Sequence, residues 1–152
     1  MLLAHELPFP QADAVLVSHY RTGVVTPGVV EVVRTTARQH GALTVADAQA
    51  DLERFAGFDL VKCNRAEAEA ELGRPLIDDL NFEAALGELL RRLDVARLAI
   101  TRGAEGMSLL ERGGTAIHSP ASRVSDVYDV TGAGDTVVAV LTLALVAGMD
   151  LR

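Results

Sequence analysis

The sequence is short of cysteine, of long apolar runs and of positive charge. Cys63 is the only cysteine among 152 residues, so no disulfide can form within the chain, which fits a reducing cytoplasm. No apolar run approaches the ~18 residues that a membrane-spanning helix needs. The most apolar stretch, 137–147, is interrupted by Thr142 and predicts a buried helix. The chain also starts without a basic region ahead of its apolar residues, which argues against a signal peptide.

The charge balance limits the classes of partner. Acidic residues number 21 and basic residues 14, which gives a net charge of -7. Because a nucleic-acid surface needs clustered lysine and arginine, we expect no nucleic-acid partner, and we also expect no membrane partner. A small anionic ligand remains compatible with this balance, since a local site can be positive within an acidic protein. The length and the hydrophobic content of 49% predict one packed domain.

Apolar runs alternate with helical patterns through most of the chain. Strands are predicted at 14–18, 42–46, 59–62 and 97–101, and helices at 27–40, 64–72 and 81–93. This alternation is typical of a parallel sheet that is covered by helices.

The pattern changes after the fourth predicted strand. The segments MSLLE (107–111) and TAIHS (115–119) flank a pair of glycines at hairpin spacing. A final helix is predicted from near Gly132 to about Ala147, with Gly148 as its stop.

The strongest chemical signal is the segment DVTGAGD, residues 129–135, which leads directly into the apolar final helix. Gly132 and Gly134 let the backbone turn its N–H groups inward at a helix N-terminus, an arrangement that binds anions. Asp135 would then lie beside a bound phosphate, where phosphoryl transfer uses a carboxylate to accept the proton of the nucleophile. The simpler alternative is a glycine turn in which Asp135 complements the helix dipole, worth ~0.3–1 kcal/mol.

The segment DVTGAGDT resembles the signature of the ribokinase-like (PfkB) carbohydrate kinases, and the similarity extends over nearly the whole chain. Its flanking segments, VYDVTGAGDTVVAV, ITRGAEGMSLLERGG and NRAEAEAELG, are most similar to the heptose-phosphate kinase domain of bacterial ADP-heptose synthases. The resemblance implies an α/β fold with a three-layer α/β/α ribokinase-like core. Relatives are much longer, so it also implies that 1–152 is a single partial kinase domain, the nucleotide-binding and catalytic-base portion, without the N-terminal strands and the β-lid.

The same resemblance assigns roles to the DVTGAGD segment. Asp135 would be the catalytic base that deprotonates the sugar hydroxyl, and Asp129 and Thr131 are further candidates for the site. The anion hole would consist of Gly132, Ala133 and Gly134. The implied cofactors are ATP and Mg²⁺, and the acceptor is a sugar or sugar phosphate, with D-glycero-D-manno-heptose 7-phosphate the leading candidate. We expect a cytoplasmic homo-oligomer whose ligands are a nucleotide and a small sugar.

A second motif is the pair Asn64 and Glu67. Asparagine at the N-cap and glutamate at N3 of a helix are typical of a capping box. The resemblance adds a role in placing the nucleotide through Asn64 and Mg²⁺ through Glu67, acting by way of a water molecule, as a hard cation permits. Cys63 stands where relatives commonly have proline, and we expect a buried, unreactive thiol there.

A third motif, TRGAEG at 101–106, joins the fourth predicted strand to the hairpin. From the residues alone it is a turn that needs glycine dihedral angles. The resemblance places Thr101, Gly103 and Gly106 along the bound nucleotide. Arg102 is a candidate phosphate contact, and a solvated side chain is the simpler interpretation.

The segment SHYRTG at 18–23 departs from the resemblance, since similar heptose kinases read more like S-D-Y-G-K-G. His19 and Arg21 therefore indicate that this chain handles its substrate differently. A non-catalytic nucleotide-binding or interaction remnant of a sugar kinase stays open as the alternative to a sugar kinase. A dinucleotide-binding dehydrogenase is set aside, because its G-x-G-x-x-G segment follows the first strand.

Overall fold

The computed structural model describes residues 12–121 and 132–150, and within them six strands form one sheet in chain order. The strands are β1 (Ala14–His19), β2 (Leu43–Ala48), β3 (Leu60–Asn64), β4 (Arg97–Thr101), β5 (Met107–Glu111) and β6 (Ile117–Ser119). The first four strands are parallel, and β5 and β6 are antiparallel to their neighbours. The predicted parallel sheet with a terminal hairpin is confirmed.

Helices cover both faces of this sheet. They are α1 (Pro27–His40), α2 (Arg65–Leu72), α3 (Asp79–Arg92) and α4 (Ala133–Val146). Buried residues of α1, α2 and α3 share one apolar core with the sheet, and those of α4 share another. The three-layer α/β/α arrangement is therefore confirmed. Helix α3 begins two residues before the predicted Asn81, because Asp78 accepts a hydrogen bond from the Asn81 N–H and caps the helix there.

The predicted helix stops are also confirmed. Gly41 follows α1 with a φ of 69°, the left-handed conformation that glycine adopts without strain. At the end of α4 the Gly148 N–H donates to the Leu145 carbonyl at 3.0 Å and the Met149 N–H to the Ala144 carbonyl at 2.9 Å. These paired bonds are the Schellman arrangement that satisfies the last carbonyls of a helix. None of the described helices is long and apolar enough to span a membrane.

The two cores differ in size. The larger core lies under α1, α2 and α3 and contains the fully buried rings of Phe55, Phe58 and Phe82. The smaller core lies under α4 alone and consists of Val45, Leu60, Ala99, Leu109, Val138 and Leu141. Successive residues of a strand point to opposite faces, so β3 sends Val61 and Cys63 into the larger core and Leu60 and Lys62 toward α4.

The first prediction concerns the reactivity of Cys63. Its side chain is completely buried, and burial raises the pKa of the thiol far above its usual range. We expect no reaction with an aromatic disulfide reagent in native buffer and full reaction in concentrated guanidinium chloride, both followed by absorbance. Rapid labelling of the native protein would contradict this.

The second prediction concerns self-association. Strand β1 is an edge of the described sheet, and an edge offers unpaired backbone groups to another chain. Leu16 on β1 is 39% exposed, and Val140 and Leu143 of α4 are 59% and 69% exposed. We expect the chain to self-associate in light scattering, and Leu16→Lys to reduce the apparent mass, because an edge lysine opposes pairing.

Leu80→Lys is the matched control, since Leu80 is 73% exposed on α3, away from this edge. It is expected to leave the apparent mass unchanged. A wild-type chain that stays monomeric as its concentration rises would refute the prediction.

Candidate active site

Four parallel strands bring their carboxyl ends to one edge of the sheet. Tyr20 follows β1 directly, Asp47 lies near the end of β2, and Asn64 and Thr101 end β3 and β4. Helix α4 begins at Ala133 and lies against β1 and β2. In open α/β sheets, ligands bind outside the carboxyl ends of the strands, so this edge is the candidate site.

The N-terminus of α4 differs from those of the other described helices. Helices α1, α2 and α3 are capped by the side chains of Thr26, Asn64 and Asp78, whereas no side chain of residues 12–121 or 132–150 caps α4. Its N-cap is Gly132, with a φ of 81°. The first N–H groups therefore lack a side-chain cap at the positive end of the helix dipole, the arrangement predicted for an anion hole at Gly132, Ala133 and Gly134. Anion binding there stays a prediction, and Asp129 and Thr131 lie outside the described residues.

Asp135 is the third residue of α4 and its side chain is exposed. The Tyr20 hydroxyl donates a hydrogen bond to Asp135 Oδ1, and this bond raises the pKa of Tyr20. The bonds formed by the described residues leave Asp135 Oδ2 without a donor. One carboxylate oxygen thus accepts a hydrogen bond from Tyr20, and the Asp135 side chain as a whole is exposed at the carboxyl edge.

A buried ion pair lies beneath this turn. Lys62 Nζ donates to Asp47 Oδ1 at 2.9 Å, and the two side chains are each 6% exposed. They are register neighbours on β2 and β3. Burial raises the pKa of Asp47, and the hydrogen bond and charge of Lys62 oppose that rise.

Gly134 explains how the ion pair fits under α4. A Cβ atom built on Gly134 would lie 2.8 Å from Lys62 Nζ, a separation that real Cβ atoms do not show. A side chain at this position would have to displace the end of the Lys62 side chain, whereas the left-handed conformation seen at Gly132 is absent from Gly134. The ammonium of Lys62 therefore packs directly against the first turn of α4, one residue from Asp135.

The sequence predictions missed Asp47 and Lys62, although a signal was present. Lys62 is the single lysine among 14 basic residues, and it lies inside a run that reads as a buried parallel strand. A charge at such a position is costly unless it is paired. The predicted second strand, 42–46, stopped one residue before the partner, Asp47.

Asn64 and Glu67 form the predicted capping box. Asn64 Oδ1 accepts from the Glu67 N–H at 2.9 Å, and Glu67 Oε2 accepts from the Asn64 N–H at 2.5 Å. Burial also raises the pKa of Glu67. The structural half of the prediction is confirmed, and the ligand-binding half stays a prediction.

The same residues line a cleft of about 360 Å³ together with Arg21 and Gln49. The carboxylate of Glu67 and the amide oxygen of Asn64 are the kind of donors that Mg²⁺ accepts. In the part of the chain that the structure describes, no group of three or more His, Cys, Asp or Glu side chains could hold a metal ion. A magnesium ion here fits only with water and phosphate oxygens as its remaining ligands, which is how Mg²⁺ commonly binds in nucleotide sites.

The two glycines of the TRGAEG loop differ in how much space surrounds them. Thr101 pairs with Asn64 across the sheet, which places the two predicted nucleotide-binding residues side by side. Gly103 has a φ of 62° with open space around its Cβ position. At Gly106 a Cβ would lie 2.0 Å from the Ser119 carbonyl oxygen, so glycine is required there by the close approach of the backbone that follows β6.

Arg102 is not the solvated side chain that the sequence suggested, and that expectation is wrong. Its side chain is only 10% exposed and its guanidinium lies 4.2 Å from the centre of the Phe82 ring. It forms ion pairs with Asp79 at 2.6 Å and with Glu105 at 3.2 Å. Stacking and pairing together make it an anchor between α3 and the loop.

His19 and Arg21, the two residues near the end of β1 that differ from the pattern of similar heptose kinases, have different surroundings. His19 is 3% exposed and meets Phe55 edge-on at 5.7 Å, so it belongs to the larger core, on the face of the sheet opposite to α4. Arg21 is exposed, has a φ of 56° and lines the cleft beside Glu67. The change at Arg21 therefore alters the candidate site, and the change at His19 alters packing.

Similar solved structures agree with this architecture. Ribokinase from Arabidopsis thaliana, complexed with ribose and ATP, superposes with a TM-score of 0.79 at 22% identity, over 93% of this chain and 45% of that one. Phosphofructokinase-2 from Escherichia coli, in complex with fructose-6-phosphate, gives a TM-score of 0.71 at 22% identity, over 85% and 43%. At this identity the likeness concerns the fold alone.

Curated relatives are more similar in sequence. The bifunctional protein HldE of Geobacter sulfurreducens is 42% identical over 138 residues, and that of Caulobacter vibrioides is 39% identical over 153 residues. These matches cover 90% and 99% of this chain but only 28% and 32% of the relatives. The model of the family "pfkB family carbohydrate kinase" matches residues 2–152. The chain therefore belongs to the pfkB family of carbohydrate kinases and has its ribokinase-like α/β fold.

Proposed function

We propose that this chain forms the catalytic and nucleotide-binding part of a kinase that transfers the γ-phosphoryl group of ATP to a hydroxyl of a sugar or sugar phosphate. The observation that carries the proposal is the position of Asp135. Its carboxylate stands in the first turn of α4, at the carboxyl edge of the sheet, with one oxygen bonded to Tyr20 and the other without a donor among the described residues. Membership of a carbohydrate kinase family supports the same reaction class.

Asp135 acts as the general base. As the acceptor hydroxyl attacks the γ-phosphorus, its proton passes to the free carboxylate oxygen, and the bond between the γ-phosphorus and the bridging oxygen breaks. The Tyr20 hydroxyl donates to one carboxylate oxygen and so restricts the rotation of the Asp135 side chain. Phosphoryl transfer needs little more of a protein than positioning and charge neutralisation.

The nucleotide phosphates lie at the N-terminus of α4. The backbone N–H groups around Gly132, Ala133 and Gly134 donate to them, since among the described residues no side chain caps this helix. Asn64, Thr101 and Gly103 line the path of the nucleotide along the ends of β3 and β4. Gly106 supports this loop by allowing the backbone after β6 to approach closely.

Glu67 is the residue that would hold magnesium, through a water molecule, and Asn64 beside it contacts the nucleotide. When bound, Mg²⁺ neutralises charge on the phosphate oxygens and so eases transfer. The raised pKa of Glu67 comes from its partial burial beside the cleft, and a cation would favour the ionised carboxylate.

The leading acceptor is D-glycero-D-manno-heptose 7-phosphate, because the chain is similar to HldE proteins at 36–42% identity. The alternative, a non-catalytic nucleotide-binding remnant, is favoured by the departure at Arg21, which changes the charge pattern of the cleft. Turnover separates the two, since a remnant would bind ATP without transferring its phosphoryl group.

The third prediction concerns Asp135→Asn. The amide keeps an oxygen that can accept from Tyr20 but cannot accept the proton, so turnover is expected to fall ~10²–10⁴-fold. ATP affinity is expected to hold or to tighten, because a negative charge beside the phosphates is removed. Turnover is measured on the gene's complete product by a coupled ADP assay, and ATP affinity by calorimetry.

Asp13→Asn, at an exposed position just before β1, is the control for loss of one carboxylate and is expected to change neither value. A folded Asp135→Asn protein that turns over at the wild-type rate would refute the base assignment. If the wild type binds ATP but forms no ADP with any member of a panel of sugars and sugar phosphates, the chain is a non-catalytic remnant.

The fourth prediction compares two glycines at the same helix position. Gly134 and Gly28 are each the second residue of a fourteen-residue helix. Gly134→Ala drives a Cβ against Lys62 Nζ, whereas at Gly28 the nearest atom, Thr26 Oγ1, is 3.8 Å away. We expect Gly134→Ala to weaken MgATP binding about tenfold or more by displacing the ammonium and the first turn, in the range of a charge-assisted hydrogen bond.

Gly28→Ala is expected to leave affinity unchanged and to raise the melting temperature slightly, as alanine does in a helix. Both affinities are measured by calorimetry. Equal affinities in the two variants would show that the space above Lys62 does not matter for binding.

A further inference from the structure

The TRGAEG loop carries two of the proposed nucleotide-binding residues, Thr101 and Gly103, on either side of Arg102. The Arg102 guanidinium donates to Asp79 of α3 at 2.6 Å and to Glu105 of the loop itself at 3.2 Å. Because the side chain is only 10% exposed, these bonds are sheltered from water. The position of the loop therefore depends on how firmly Arg102 is attached to α3.

The same attachment connects the loop to the start of α2. The guanidinium groups of Arg102 and Arg65 lie 4.2 Å and 5.2 Å from the centre of the Phe82 ring. Both arginines also donate to the carboxylate of Glu105. Arg65 directly follows Asn64, another of the proposed nucleotide-binding residues. One cluster on α3 thus holds two parts of the candidate site in place.

A histidine belongs to this cluster. His118 on β6 is 22% exposed, and its Nδ1 lies 2.8 Å from Ser108 Oγ and 3.4 Å from Arg102 Nη1. An arginine N–H can only donate, so its contact with Nδ1 requires that this nitrogen carry no proton. The arrangement therefore fits a neutral His118 with its proton on Nε2, which lies 3.5 Å from Glu83 Oε1.

The charged groups that face the His118 ring, among the described residues, come from α3 and from the loop. Helix α3 contributes Asp79 and Glu83, and the loop contributes Arg102, while Ser108 of β5 is neutral. The hydrogen bond from Arg102 lowers the pKa of Asp79, which therefore stays ionised near neutral pH. Histidine is the side chain in this group whose ordinary titration falls between pH 5 and 8.

Protonation of His118 would change the attachment of Arg102 in two ways. A proton on Nδ1 would place a second donor and a second positive charge 3.4 Å from Arg102 Nη1. The ring would also compete for Asp79, whose Oδ1 lies 4.0 Å from Nδ1. Both changes weaken the hold of α3 on Arg102.

We propose that Arg102 is the positioning residue of the nucleotide-binding loop and that His118 makes this positioning depend on pH. Neutral His118 lets Arg102 hold the loop in the conformation that binds nucleotide, and protonated His118 loosens it. The inference rests on the proposed kinase function and adds a means of regulating its nucleotide site. Since nucleotide binding and protonation of His118 oppose each other, affinity falls as the pH falls through the titration of His118.

The fifth prediction compares MgATP affinity at pH 8 and pH 6, measured by calorimetry. His118→Asn keeps an oxygen acceptor near the position of Nδ1 but cannot be protonated. We expect the affinity of the wild type to fall about three- to tenfold more between pH 8 and pH 6 than that of His118→Asn, the range for one hydrogen bond. Titration of the nucleotide itself affects both proteins equally and cancels in this comparison.

His40→Asn is the matched control, because His40 is exposed at the end of α1. It is expected to keep the pH dependence of the wild type. Arg102→Met removes the group through which His118 acts, so we expect weaker binding at pH 8 and no further loss beyond that of His118→Asn at pH 6.

A measurement on the wild type alone guards against variants that fail to fold. The ring signals of His118 are followed by NMR from pH 8 to pH 5, with and without saturating MgATP. By reciprocity, nucleotide is expected to lower the midpoint of this titration by about 0.5 to 1 pH unit, which corresponds to the same three- to tenfold change. A nucleotide that acted on the ring only through its negative charge would raise the midpoint, so an unchanged or raised midpoint would overturn the proposal.

The outcomes separate this inference from the proposed function. If the wild type binds MgATP with the same pH dependence as a folded His118→Asn protein, the role of His118 is refuted and the nucleotide site stands. If the folded wild type binds no MgATP at either pH, the nucleotide site itself is refuted, and its regulation with it.

Discussion

The common direction of four strands is the constraint on which the rest of this structure depends. Parallel strands end at one edge, so residues far apart in the chain, Tyr20, Asp47, Asn64 and Thr101, meet without a long loop to carry them. Helix α4 then needs only to begin at that edge for Asp135 to join them. Direction in the sheet, more than any single contact, decides which side chains form the site.

Most of the fold could be predicted because it depends on local patterns. Alternation of apolar runs and helical periods identified the parallel strands, and Gly41 and Gly148 marked helix ends where a left-handed residue is needed. The capping box at Asn64 and Glu67 follows from residue types three positions apart. The turn into α4 was recognisable because its two glycines and Asp135 are contiguous in the sequence.

What could not be predicted depends on contacts across the sheet. Asp47 and Lys62 are 15 residues apart, and only the register of β2 with β3 places them together. Arg102 looked like an exposed loop residue because the sequence does not show that Phe82 of α3 lies beneath it. Gly106 must be glycine because the backbone at Ser119–Ala121 approaches it closely, and a side chain at Gly134 would displace the ammonium of Lys62. The sequence indicated which segments are strands and helices, but not which side chains of different segments contact each other.

The unequal covering of the two faces has a consequence for how the site holds together. Of the three fourteen-residue helices, α3 buries five residues, α1 three and α4 only Val138 and Leu141. The proposed base therefore stands on the least deeply anchored of these three helices. A ligand that bridges the first turn of α4 and the sheet would add a contact to a helix that has only two buried residues of its own. Ligand binding and local unfolding of α4 would then be linked. Unfolding of this one helix would remove Asp135 from the site while the rest of the domain stays folded.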